Sequence, residues 1–131
     1  MTCQRLIKKE LVKNNAYEFF LIAWHLENIV DEYKDLCNYI SKKQKLKVNK
    51  DIIDVYKNVN DYFRDYYEIF YEFNLIELNG LEPKRMQILK RINGIISQTS
   101  KDEIIILYHL LFITKKVSVL SATIMSINKP V

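Results

Sequence analysis

Glycine and proline are almost missing from this chain: two of each in 131 residues. Strand-and-turn architectures draw heavily on both residues, so the scarcity argues against one. Cysteine is equally scarce. Cys3 and Cys37 form no CxxC or other metal-ligand spacing, which removes a zinc knuckle and a disulfide framework. Both are expected to be free thiols in a reducing compartment, with Cys37, beside the first apolar stripe, a small core residue.

Catalytic signatures are absent too. There is no HExxH, no glycine-rich phosphate loop and no Glu-x-x-His element of a carboxylate-bridged di-iron bundle. No serine stands in a nucleophile-elbow context. No arginine precedes a histidine by the four to six residues used in small helical ribonucleases. His25 and His109 each sit among apolar neighbours, and are expected to be hydrogen-bonded core histidines, with the alternative that they meet and hold a metal. The expectation is a non-enzymatic protein without metal or cofactor.

Long apolar runs are also lacking. The most apolar window, 104–113, is followed by Lys115 and Lys116, short of the about 20 residues that cross a bilayer. The stretch 19–24 is too short and too far into the chain for a signal peptide. A buried central helix, no membrane insertion and a cytoplasmic location are therefore expected.

What the chain does have is helical periodicity. Ile52, Val55, Val59, Tyr62, Tyr66, Ile69 and Phe73 alternate at spacings of three and four, one stripe of an α-helix. Phe19, Ile22, Leu26, Ile29, Tyr33, Leu36 and Ile40 repeat the pattern. Four helices are predicted within a single domain, 1–131. The first spans about 4–42, bent or split near Asn14 and Asn15, which compete for backbone hydrogen bonds. The second runs from an Asn49 cap to about residue 78, stopped by Asn79-Gly80 in the left-handed conformation. The third, about 83–98, carries Pro83 in its first turn and is weakened by Gly94. The fourth follows a Ser100–Glu103 capping box and reaches about residue 126. It is apolar nearly all round at its start, which places it in the middle. Short connections make this an all-α, antiparallel four-helix bundle, or a five-helix one if the first helix splits.

Charge comes in blocks that the net +4 conceals. Residues 5–13 carry +3, 18–35 carry −4, 42–50 carry +5, 51–82 carry −6 and 84–101 carry +5. Two functional readings follow. In the first, the chain binds another protein, as adaptors, inhibitors and immunity proteins of this size do, or pairs with a second copy. Arg64, Tyr67 and Tyr71, on the outer face of the second helix, are the candidate contacts, because Tyr and Arg tend to anchor interfaces. In the second, Arg5, Lys8, Lys9 and Lys13 share a patch with Lys84, Arg85, Lys90 and Arg91 and neutralise phosphates of a nucleic acid. Against it stands an arrangement in which the basic third helix lies on the acidic second one.

Overall fold

The computed structural model describes residues 15–43 and 45–128, which are all-α, with no strand among them. The elements are α1 (Ala16–Ser41), α2 (Lys50–Tyr71), α3 (Leu75–Asn79), α4 (Leu81–Ile95), a 3-10 turn (Ile96–Gln98), α5 (Lys101–Ser118) and α6 (Leu120–Ile127). The predicted start of the first helix lies outside the described residues, and Asn15 occupies the N-cap position of α1.

The α2 stripe is buried as the spacing predicts, from Ile52 through Val55, Val59, Tyr62 and Tyr66 to Ile69. Asn49 caps the helix, its Oδ1 accepting the Asp51 N–H at 2.9 Å. The predicted run to residue 78 is wrong. The helix stops at Tyr71, and Glu72 turns out of it at φ −136°, ψ 89°. Asn74 then caps the short α3 through the Glu77 N–H at 3.0 Å. An asparagine side chain that supplies its own hydrogen bond replaces the continued helix, while Phe73 still packs on the core. Gly80 is also not the predicted left-handed stop. It lies at φ −69°, ψ −13°, and α4 starts at the next residue.

On α1, Ile22, Ile29 and Leu36 are buried, Phe19, Leu26 and Tyr33 pack at the margin, and Ile40 is 39% exposed. The α1 and α2 stripes do not chiefly face each other. α1 packs mainly on α5 and α6, and α2 on α5 and α4. Leu107, Leu110, Ile113 and Val117 of α5, with Leu120, Ile124 and Ile127 of α6, fill the space between. α1 and α2 meet at their edges. Tyr33 stacks on Phe63, its hydroxyl donates to Asn60 Oδ1 at 2.7 Å, and Phe19 meets Phe70 edge-on at 5.8 Å. Burial, followed by the neighbouring Tyr56, pushes the Tyr33 hydroxyl up to about 12.

The pairings give the helix directions. Tyr39 reaches Asp102 and Glu32 reaches His109, so α1 and α5 run oppositely. Lys84 pairs with Asp65 and Arg91 with Asp54, so α2 and α4 do as well. Asn49 bonds Glu103 and Tyr66 bonds Ser121, so α2 runs in the same sense as α5 and α6. The Tyr66–Ser121 contact extends to Tyr62, whose hydroxyl donates to that of Tyr66 at 3.5 Å. No buried side-chain polar atom among the described residues lacks a partner.

The capping box forms in full. The Glu103 N–H donates to Ser100 Oγ at 3.3 Å, and the Ser100 N–H returns to Glu103 Oε1 at 3.2 Å. The N–H groups of Asn49 and then Ser100 hold the Glu103 carboxyl below its usual pKa. Its folded pKa is depressed, so its contribution is present above the ordinary carboxylate range and is lost as pH falls through the lowered value. Ser100→Ala is expected to lower stability by about 1 kcal/mol in urea titration.

α5 is not apolar-facing all round, in contrast to the expectation. Tyr108 and Phe112 are exposed, with Val119 and Met125 beyond them. The helical stretch Lys101–Ile127 is long and apolar enough by length and composition to cross a membrane. In this fold its inner side is the packing centre, because three helices converge on it. Gly94 lies inside α4, where an added Cβ meets nothing within 4 Å. Gly94→Ala is expected to raise stability by about 0.5–1 kcal/mol, read as a higher urea midpoint.

Candidate functional site

α2 turns its hydrophobic stripe inward, which leaves positions 64, 67, 68 and 71 outward or at the edge. Tyr67 and Tyr71, one turn apart, are 60% and 58% exposed, with ring centroids 4.8 Å from each other. A hydrogen bond with Tyr67 pushes the Tyr71 hydroxyl above its usual pKa. Phe70 abuts Tyr71 edge-on at 5.3 Å and also meets Phe19 of α1, so the pair is braced from behind.

Tyr67 borders three surface depressions. One is apolar, walled by Leu26, Phe63, Phe70 and Ile124 between α1, α2 and α6. One lies beside Tyr33, Asn60, Phe63 and Arg64. The third runs past Tyr71 to Glu68, Glu72 and Glu77 at the α2–α3 break. Arg64, Tyr67 and Tyr71 thus share one outer face. The acidic end of that face was only half legible. Glu68 and Glu72 follow from the helix wheel, but Glu77 joins them only because the chain breaks at Glu72–Asn74.

The second set of candidates is distributed differently. Arg5, Lys8, Lys9 and Lys13 lie outside the described residues. Lys84 pairs with Asp65, Arg91 with Asp54 at 3.3 Å and Asp51 at 3.9 Å, and Arg85 with Glu82 of its own helix. Lys90 is exposed. Most of the α4 charge thus faces carboxylates, as in the arrangement in which the basic helix lies on the acidic one.

No family model matches the chain, and no curated protein or solved structure matches it. The site must therefore be read from its own geometry. His25 and His109 do not meet. His25 lies against Trp24, whereas His109 Nδ1 is 3.2 Å from Glu32, whose other oxygen is 3.5 Å from Lys116. Seven residues of α1, about 10 Å of helix, separate His25 from Glu32. No cluster of His, Cys, Asp and Glu able to hold a metal occurs among the described residues.

Cys37 is exposed, not the core residue its neighbours suggested, and Cys3 lies outside the described residues. Position 37 is one residue past the buried Leu36, and that rotation of about 100° carries it out of the core. Sequence reasoning also missed the exposure of Tyr17, Phe20 and Trp24 on α1. Their spacing of three and four is the same signal that marks the buried stripe.

Proposed function

We propose that this chain is a non-enzymatic, antiparallel four-helix bundle, with its C-terminal helix at the centre, that works by binding another protein through the outer face of α2. Arg64, Tyr67 and Tyr71 supply the contacts. The observation that carries this reading is Tyr67, an exposed aromatic shared by three depressions and packed at a tilt against a second exposed tyrosine. Tyrosine offers large contact area with few rotatable bonds, and residues of this type dominate the binding energy of interfaces. Glu68, Glu72 and Glu77 along one rim favour a partner segment that brings lysine or arginine alongside apolar side chains.

The test is affinity capture on the tagged chain, with nuclease added, comparing the parent with the Arg64→Ala/Tyr71→Ala double variant. A discrete protein retained by the parent and lost by a folded double variant supports the reading. Equal retention by both would remove this face from consideration. Retention of the chain's own second copy by the same residues would convert the reading into homodimerisation.

A further inference from the structure

We propose that the end of the molecule formed by residues 45–50 and the start of α5 is a docking site for the phosphate backbone of a nucleic acid. The site is distinct from the α2 face and from the α4 basic residues.

The connection is shaped by what it buries. Leu46 and Val48 pack against the core, while Lys45 and Lys47 between and beside them are exposed. That alternation is the period of extended chain, and it holds the two lysines about 7 Å apart on the outer side. The segment is tied down at its end. The Asn49 N–H donates to Glu103 Oε2 at 2.9 Å while the Asn49 side chain caps α2. These bonds set the connection against the first turn of α5, so the exposed Lys101 joins Lys45, Lys47 and Lys50.

The carboxylates at this end are already engaged. Asp102 accepts the Tyr39 hydroxyl at 2.8 Å and pairs with Lys43 at 3.4 Å. Glu103 accepts Asn49 and Ser100, and Asp51 faces Arg91. Among the described residues, no carboxylate lies within ion-pair distance of Lys42, Lys45, Lys47, Lys50 or Lys101. This is the opposite of α4, where Lys84, Arg85 and Arg91 all face carboxylates. Two blocks of +5 look alike in the sequence, but three of the five charges of 84–101 meet carboxylates, whereas in 42–50 only Lys43 does among the described residues.

Phosphate contact without base reading fits the surroundings. Tyr39 lies beneath Lys43, with the ammonium 5.4 Å from its centroid, and its hydroxyl is held by Asp102, so it is no stacking platform. An anionic bilayer would need an apolar anchor beside the charge. Near the lysines the exposed apolar side chains are single ones, Ile40, Ile53 and Tyr108, whereas the exposed aromatic group of α1, Tyr17, Phe20 and Trp24, lies at least 18 residues before Lys42, about 27 Å of helix away. The acidic residues of α2 from Asp61 onward lie about 16 Å or more past Lys50, beyond the about 8–10 Å screening distance of physiological salt.

The experiment is fluorescence anisotropy of a labelled, mixed-sequence duplex of about 20 base pairs with the full chain, between about 50 and about 200 mM salt. Four lysines neutralising four phosphates give a slope of log affinity against log salt of about −3.6. The Lys45→Ala/Lys47→Ala/Lys50→Ala/Lys101→Ala variant, checked for helicity, is expected to bind at least about tenfold more weakly with a flattened slope. Lys84→Ala/Arg91→Ala is expected to keep the parental slope. Lys47→Glu alone repeats the test should the quadruple variant lose its helicity. The proposal is overturned by absence of parental binding at the lowest salt, by unchanged binding of the lysine variants, or by binding only to phosphatidylserine vesicles.

Discussion

Leu107→Ala is expected to lower the unfolding free energy by about 2–5 kcal/mol, the cost of removing a buried leucine that its surroundings cannot fill. Leu107 is 0% exposed, on the inner side of the helix that α1, α2 and α4 all contact. A domain of this size has about 5–15 kcal/mol in total, so one substitution would remove a large part of the margin. Phe112→Ala is the internal control. Phe112 is larger and only five residues away, but it is 45% exposed on the outer side. Its loss is expected to cost under about 1 kcal/mol. Urea unfolding followed by far-ultraviolet circular dichroism reads both, with equal slopes expected. If Phe112→Ala proves the more damaging, α5 is rotated from the orientation described.

Tyr67→Ala is expected to weaken partner binding by about 2 kcal/mol or more, roughly thirtyfold, while changing stability by no more than about 0.5 kcal/mol. Binding suffers because Tyr67 forms an edge of all three depressions, so its removal merges them and withdraws the ring that Tyr71 packs against. Stability does not, because most of its side chain faces solvent and the α2 stripe beneath it stays intact. Tyr67→Phe separates ring from hydroxyl. It keeps the aromatic contact but removes the hydrogen bond to Tyr71. An affinity near that of the parent would place the energy in ring burial, and one near that of Tyr67→Ala would place it in the hydroxyl. Titration of the captured partner by isothermal calorimetry, with thermal unfolding of each variant beside it, measures both quantities. A large loss of stability with Tyr67→Ala would mean that the residue is structural and the patch misassigned.

The two halves of α5 and the two sides of α2 also show how far the letters carry. Helix formation was legible wherever its cause is local. The three-four spacing of α2 selected every residue that is buried there, and the Asn49 cap and the Ser100–Glu103 box form as their positions require, because each depends on atoms within one turn of chain. The exposure of Tyr67 and Tyr71 was legible for the same reason, since a helix that buries one face must present the other. The break at Glu72–Asn74 was not, because the apolar spacing runs through it and Asn74 can serve equally in a helix or as a cap. Cys37 and the outer side of α5 were misjudged because an apolar residue beside a stripe reads as core until the neighbouring helix is in place.

The sequence by itself determined that this protein is helical, which faces of α1 and α2 are apolar and where α2 and α5 begin, since those are properties of short stretches of backbone and side chain. Only the tertiary structure decided which residues of α5 face outward, that Lys84 and Arg91 of α4 meet carboxylates of α2, and that Lys45, Lys47 and Lys50 have no ion pair among the described residues while Lys43 does. The physical reason is that each depends on which charges and surfaces meet across gaps of tens of residues, and Coulomb attraction and burial act on distance in space without regard to position in the chain.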